Sequence, residues 1–137
     1  MSGDGSWELQ QAVYAALIAS AALQSYIGNP ARVFDDVPPG SDFPYITLGQ
    51  ASVTDWSTSS DTGFEHRLTL HAWSRYDGRR EVKEIMAQMH GLLHDAALTL
   101  VNHTLVNLRF IFSDVFRDPD GRTYHGVMRY RAVTEPV

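Results

Sequence analysis

The sequence contains no cysteine among its 137 residues. Disulfides, thiol nucleophiles and thiolate metal ligands are therefore excluded, and an apolar core must supply the stability. Apolar residues make up 44% of the chain, an ordinary fraction for a globular protein. A chain of this length buries a substantial core without covalent staples, so we expect residues 1–137 to form one domain.

Long apolar runs and positive charges are also scarce. No apolar run reaches the roughly 18 residues that suggest a membrane-spanning helix, so no membrane partner is expected. Lys and Arg number 11 against 16 Asp and Glu, which gives a net charge of −5 with neutral histidines. Because binding to phosphates requires a basic surface, this balance argues against nucleic acid as the main ligand.

Recognisable catalytic motifs are missing from the chain. It has no G-x-S-x-G nucleophile elbow, no phosphate-binding Walker loop and no G-x-G-x-x-G fingerprint. Its carboxylates are scattered, and no pair is marked out as an acid and a base. We therefore predict that the protein is not an enzyme, with no catalytic residues and no cofactor.

One pair of histidines has the spacing of metal ligands. His90 and His94, in the segment HGLLH, lie four residues apart and would share one face of a helix. A zinc hydrolase of the HExxH type needs Glu after the first His, but Gly91 stands there, and no third ligand is evident. We interpret the pair as part of a helix surface and predict no metal site.

The hydrophobic periodicity predicts an α+β fold in two layers, with a mainly antiparallel sheet packed against two helices. The first helix is predicted from Trp7 to about Ala22, with Ser6 as its N-cap and with Leu9, Val13 and Leu17 in its apolar stripe. The second is predicted to start at a capping Asp77 and to run to about Ala96. Its stripe contains Val82, Ile85, Met86, Met89, Leu92, Leu93 and Ala96.

Alternating segments predict the strands of the sheet. They are Arg32–Asp35, Pro44–Gly49, Phe64–Trp73, Leu105–Arg117 and Thr123–Thr134. In the third segment, Phe64, His66, Leu68, Leu70 and Ala72 are expected on one face. In the fourth, Leu108, Phe110 and Phe112 are expected to share a face. An Asp-Gly pair in Asp118–Arg122 indicates a hairpin turn before the last strand.

The segment Ala51–Gly63 is unusually polar, since seven of its 13 residues are Ser or Thr. It is expected to form a long exposed β-hairpin or loop. Trp56 lies in its middle, with Asp55 beside it and Asp61 nearby. Either Trp56 packs back on its own sheet, or the hairpin reaches a neighbouring subunit, because Trp is enriched at interfaces. Trp56, Asp55 and Asp61 are therefore candidate interface residues.

Two arginines on the last strand are further candidates for an interface. Arg129 and Arg131 are two residues apart, so they lie on the same face of a strand. They pair either with a neighbouring strand or with a partner subunit, and the residue pattern leaves both options open.

The order of several segments resembles a known family. These segments are PYITLG, GFEHRLTLHAWS, DGRREV, DPDG and YHGVMRYRA. Together they resemble the phage tail completion or tail terminator family, and within it the version carried by gene transfer agents. The resemblance covers about Leu9 to Val133.

The resemblance implies a structural virion protein at the head-proximal end of a tail, made in the host cytoplasm. Such proteins form a homo-oligomeric six-fold ring on a non-contractile tail tube. The ring ends tube polymerisation and joins the tail to the head–tail connector, or stopper, while DNA passes through its lumen unread. The implied partners are the tail tube protein and the stopper. Another connector such as a stopper, or a tube subunit, is the alternative function, and a small enzyme is a more remote one.

Overall fold

The computed structural model describes residues 3–137, which form three helices and five strands. The helices are α1 (Ser6–Ile18), α2 (Ala21–Ile27) and α3 (Arg80–Leu93). The strands are β1 (Val33–Phe34), β2 (Tyr45–Asp55), β3 (Phe64–Ser74), β4 (His103–Arg117) and β5 (Tyr124–Pro136). The predicted α+β class is confirmed, and β2 and β3 form the predicted long hairpin.

The five strands form one sheet in the order β1-β2-β3-β5-β4. The short strand β1 runs parallel to β2, and the other neighbouring strands are antiparallel. In the centre, β3 and β5 pair without a break from Phe64–Thr134 to Ser74–Tyr124. Because β5 inserts between β3 and β4, the central pairing joins β3 to a strand that is distant in sequence.

The core lies between the helices and one face of the sheet. The predicted helix stripes are buried at Leu9, Val13, Leu17, Val82, Ile85, Met86, Met89 and Leu93. The sheet contributes Ile46, Leu70, Ala72, Leu108, Met128, Tyr130 and Ala132. None of the helices within residues 3–137 is both long and apolar enough to cross a bilayer.

A glycine on β5 allows α3 to approach the sheet closely. A Cβ atom at Gly126 would lie 2.3 Å from the sulfur of Met86. Any larger residue at Gly126 would therefore displace Met86, which fills that space in the core.

A chain of hydrogen bonds holds the start of the described chain against the sheet. The Thr134 hydroxyl donates to the Asp4 carbonyl at 3.0 Å, and the His66 Nε2 atom lies 2.8 Å from the same hydroxyl oxygen. Since that hydroxyl proton is already used, His66 donates from Nε2. Burial lowers the pKa of His66, which favours the neutral form of the ring.

The predicted first helix is divided in two, and Ser6 is not its N-cap. Gly5, with φ of 75°, is the N-cap residue of α1, and the Asp4 carboxylate accepts the Ser6 N–H at 2.8 Å. The helix ends at Ile18 because Ser20 starts a new one: its hydroxyl accepts the Leu23 N–H at 3.2 Å. A serine side chain competes in this way for backbone donors, which a pattern of apolar residues does not reveal.

The second predicted helix is shorter than expected at both ends. It begins at Arg80 and ends at Leu93, so Asp77 does not cap it and Ala96 lies outside it. Gly78 has φ of 82°, and this left-handed residue separates Asp77 from the helix. At the other end, His94 is extended and Asp95 has φ of 56°.

The segment Ala51–Gly63 is only partly a loop. Ala51–Asp55 belongs to β2 and pairs with β3 as far as Asp55 opposite Phe64. Residues 56–63 form the connection between the two strands. Ser and Thr are well tolerated in a strand whose side chains are exposed, so their abundance did not exclude pairing.

The expectation that Phe112 shares a face with Leu108 and Phe110 is wrong. The register of β4 against β5 shifts between Phe110, opposite Tyr130, and Phe112, opposite Arg129. This bulge inserts an extra residue and turns Phe112 to the opposite face. Leu108 is 1% exposed on the core side, whereas Phe112 is 45% exposed.

We predict that replacing Leu70 with Ala lowers the free energy of unfolding by about 2–5 kcal/mol, the usual cost of truncating a buried leucine. Leu70 is 3% exposed and lies in the same buried cluster as Val82, Ile85 and Met89. Urea denaturation measures the change. Val101→Ala, at a position that is 66% exposed, is the control and should leave the midpoint nearly unchanged. An unchanged midpoint for Leu70→Ala would contradict its place in the core.

Candidate functional site on the open face of the sheet

The sheet face opposite the helices is not covered by any other element within residues 3–137, and we call it the open face. Alternate residues of the two central strands project there, because their neighbours are buried on the helix side. They are Glu65, Arg67, Thr69, His71, Trp73, His125, Val127, Arg129, Arg131 and Val133. Basic, aromatic and imidazole groups therefore dominate this surface.

At one end of the open face, two histidines form a hydrogen-bonded pair. The His71 Nδ1 and His125 Nε2 atoms are 2.7 Å apart, so one ring donates and the other accepts. Trp73 stacks on His125 with 3.7 Å between ring centroids and donates its Nε1–H to Thr47. A Cβ atom at Gly49 would lie 2.5 Å from His71 Nε2, so the glycine leaves room for the ring.

The surroundings of this pair favour its neutral form. Burial is the main cause that lowers the pKa of His71, and the positive charge of Arg129 lowers it further. Burial also lowers the pKa of His125, helped by His71. Asp118 opposes this shift from 3.9 Å. The pair is therefore a structural contact near neutral pH and becomes unfavourable in acid.

The centre of the open face carries an open groove of about 420 Å³ with two arginines in its wall. The groove is lined by Gln50, Ser52, Arg67, Leu68, Thr69, Ile111, Phe112, Arg129 and Tyr130. The Arg129 guanidinium lies 5.7 Å from the centre of the Phe112 ring. Among the described residues no carboxylate lies within ion-pair distance of Arg129, whereas Arg67 is 3.7 Å from Glu65. The centre is therefore locally positive in an acidic protein.

At the other end, Arg131 connects Trp56 to the sheet. Its guanidinium hydrogen-bonds the Glu65 carboxylate and lies 4.9 Å from the centre of the Trp56 ring. This hydrogen bond is the main cause that lowers the pKa of Glu65. Arg131 thus pairs with Glu65 of the neighbouring strand β3. Trp56 rests partly on its own sheet, yet 55% of its surface stays exposed.

The two candidate aspartates shape the loop that carries Trp56. The Asp55 carboxylate accepts the Ser57 hydroxyl at 2.7 Å and the Ser57 N–H at 3.3 Å. The Asp61 N–H donates to the Thr58 hydroxyl at 3.0 Å. The loop therefore has a defined conformation of its own that presents Trp56 outward.

His90 of α3 and His94, which directly follows the helix, act in packing. Their rings stack, with 4.8 Å between centroids, and His94 Nδ1 accepts the Phe110 N–H at 3.0 Å. The other nitrogen of His94 lies 3.3 Å from the Asp95 carboxylate. Within residues 3–137, no three His, Asp or Glu side chains are grouped to hold a metal. His94 connects the end of α3 to β4.

The imidazole pair was not predicted, although its residues were placed on strands. Its detection depends on the register of β3 against β5, in which Trp73 lies opposite His125 and His71 opposite Val127. His71 and His125 are therefore diagonal neighbours, a distance that imidazole side chains can bridge. The alternation of side chains along each single strand does not reveal how the two strands are aligned.

These features define a protein with extended exposed surfaces and an uncovered sheet. The chain belongs to the family described as tail completion protein gp17, whose model matches residues 11–135. The tail completion protein gp17 of Bacillus phage SPP1 is 30% identical over 95 residues, which cover 68% of this chain and 70% of that protein.

A solved structure extends this likeness to the whole fold. A chain in the virion of a native gene transfer agent particle matches with a TM-score of 0.87 and 30% identity. The match covers 94% of this chain and 96% of that one. The predicted family, including its gene transfer agent version, is confirmed. The role of this chain is accordingly structural, in the completion of a tail in a phage-type particle.

We predict that the protein loses stability as the pH falls below about 6.5, the ordinary pKa of histidine. The pKa values of His66, His71 and His125 are lowered in the folded state, so the unfolded chain binds protons first. Their contribution is fully present above pH 6.5 and is lost between 6.5 and the lowered folded values. Urea midpoints across this range measure the effect.

Replacing His71 with Gln should flatten this pH dependence because it removes one member of the pair. His90→Gln is the matched control, since His90 lies on α3 outside the pair. An equally steep loss of stability in His71→Gln and the unchanged protein would show that the pair does not contribute.

Proposed function

We propose that this chain is a tail terminator, which forms a ring on the end of a tail tube. The ring stops tube polymerisation and joins the tail to the head–tail connector, and DNA passes through its lumen. The observation that carries this proposal is the likeness over 94% of the chain to a subunit of a tailed particle. The six-fold number follows from the family resemblance and is part of the proposal.

The edges of the sheet support a role in assembly. The pairing of β1 with β2 stops at Phe34 opposite Thr47, so from Leu48 to Asp55 the outer side of β2 has no strand partner among the described residues. At the other edge, β4 pairs on one side only, with β5. Unpaired edges are a hazard for a protein that works alone but serve one that packs against copies of itself.

The charge of the chain fits passage of DNA without binding. A net charge of −5 on each subunit is multiplied around a ring, and the resulting negative potential repels phosphates. The arginines in the central groove are too few to reverse this balance. We propose the tail tube protein and the stopper as the other partners, contacted on opposite faces of the ring.

The candidate interface residues have defined positions in this proposal. Trp56, held by Asp55 and Asp61 in its loop, projects toward a neighbour at one end of the open face. Arg129, whose guanidinium has no carboxylate partner among the described residues, offers a charge to a neighbour. Arg131 contributes indirectly by orienting the Trp56 ring.

Electron microscopy of the purified chain and of particles that lack it tests the proposed function. We expect single rings from concentrated protein, and tails of irregular length without heads when the chain is missing. Supplying the chain should restore tails of uniform length. Long tubes from the purified chain would instead identify a tube subunit, and uniform headless tails in its absence would identify a stopper.

We predict that replacing Trp56 with Ala reduces ring assembly and tail completion while changing the urea midpoint little. The Trp56 side chain is 55% exposed, so it contributes less to the stability of the isolated subunit than a buried tryptophan would. Tyr76→Ala, at a position that is 60% exposed on the connection between β3 and α3, is the control. Normal tails with attached heads in the Trp56→Ala particle would contradict an interface role, and so would a large loss of subunit stability.

A further inference from the structure

The charges of the chain are divided unequally between its two parts. Residues 1–62 contain one Arg and seven Asp and Glu, a net charge of −6. Residues 63–137 contain ten Lys and Arg against nine Asp and Glu, a net charge of +1. The acidity of the protein therefore comes from its first part.

The fold places these two parts at opposite edges of the sheet. The first part forms α2, β1 and β2 at the edge where β1 lies, and α1, which begins beside β5 and β4 and reaches Asp35 and Leu48 at the β1 edge. The second part forms β4, which is the opposite edge, together with the central strands and α3. The β1 edge, which we call the acidic edge, is therefore built from the acidic part of the chain, apart from Asp4, which lies beside β5, and the β4 edge is built from the part that is close to neutral and contains most of the arginines.

Exposed apolar side chains are concentrated at the same two edges. On and beside β4, four large apolar residues are at least 40% exposed: Val106, Ile111, Phe112 and Phe116. We call these residues the β4 surface. Arg109, which is 3.6 Å from the Asp95 carboxylate, and Arg117, which donates to the Gly121 carbonyl, lie on the same strand. Arg129, beside Phe112, has no carboxylate within ion-pair distance among the described residues.

The acidic edge has an apolar groove of its own. Trp7 is 58% exposed and Tyr14 is 40% exposed, and they stand along α1 beside Leu48 of β2. With Gln10, Gln11 and Asp35 they line an open groove of about 420 Å³, which we call the α1–β2 surface. The Asp35 carboxylate accepts a long hydrogen bond, 3.3 Å, from Gln10 and has no Lys or Arg partner among the described residues.

We propose that the β4 surface of one copy packs into the α1–β2 surface of the next copy, head to tail. This inference rests on the proposed ring function and names the two surfaces that build the ring. Apolar side chains of β4 fill the groove beside α1, and the amides of Gln10 and Gln11 meet exposed backbone groups of the strand. The arginines at the β4 edge face the carboxylates of the acidic edge.

Charge distinguishes this arrangement from a symmetric dimer. If the α1–β2 surface met its own copy, two Asp35 carboxylates without Lys or Arg partners among the described residues would face each other and repel. If the β4 surface met its own copy, the acidic edges would remain uncovered. Contact between the two different surfaces covers both of them and avoids this repulsion. A contact between unlike surfaces repeats from copy to copy and closes into a ring when the rotation between copies allows it.

The absence of cysteine allows the contact to be tested by cross-linking, since any introduced thiol is unique. Gln11→Cys marks the α1–β2 surface. Asp114→Cys marks the β4 surface, since Asp114 pairs with Val127 and lies on the same sheet face as Phe112; both positions are exposed. The variants are assembled on tails and treated with a short flexible bismaleimide. Mixed single variants should give a covalent dimer of one copy of each. The double variant should give a ladder that ends at the size of the ring, and each single variant alone should give no product.

A double variant with Gln88→Cys, on the exposed side of α3, and Asp114→Cys is the control and should give no ladder. Self-linking of either single variant would show a symmetric contact and overturn the inference. Rings visible on tail ends whose Gln11→Cys, Asp114→Cys subunits do not link would also overturn it, while leaving the proposed function intact. The absence of any ring at the tail ends would contradict both.

Discussion

The uninterrupted antiparallel pairing of β3 with β5 determines which side chains lie on each face of the sheet. Its register places His66, Leu70 and Ala72 toward the helices, and Arg67, His71 and Trp73 toward the open face. Because side chains alternate with a period of two, a slip of one residue would expose the core and bury the arginines. On the core side, Met86 packs against Gly126, so a side chain placed there by a slip would have to displace Met86. Packing on the core face therefore helps to fix which side chains lie on the open face.

The outer strands depart from this regularity, and their departures shape the surfaces. The register of β2 shifts between Leu48 and Ala51, beside the glycine that makes room for His71. The register of β4 shifts next to Phe112, which turns an aromatic ring out of the core and over toward Arg129. Bulges of this kind bend a strand and redirect side chains at the edges of sheets. The regular centre thus carries stability, and the irregular edges carry the exposed apolar groups.

Sequence patterns predicted the elements whose signals are local. The alternation of β3 and the four-residue spacing of Leu9, Val13 and Leu17 were sufficient to place both layers of the core. Features that depend on contacts distant in sequence were missed: the imidazole pair needs the β3–β5 register, and the position of Phe112 needs the bulge in β4. The break at Ser20 was missed for another reason, because a side-chain hydrogen bond overrode a continuous helical pattern.

In the proposed ring, the distribution of charge determines which surfaces of neighbouring copies meet. Apolar contact alone does not discriminate, because the β4 surface and the α1–β2 surface can each bury area against themselves. The acidic first part makes one of these self-contacts repulsive, whereas the proposed contact between unlike surfaces brings arginines to carboxylates. Screening reduces this preference as ionic strength rises, since the charges lie at the exposed edges of the subunit. Under the proposed function, the acidity of the chain therefore contributes both to the negative potential in the lumen and to the direction in which subunits join.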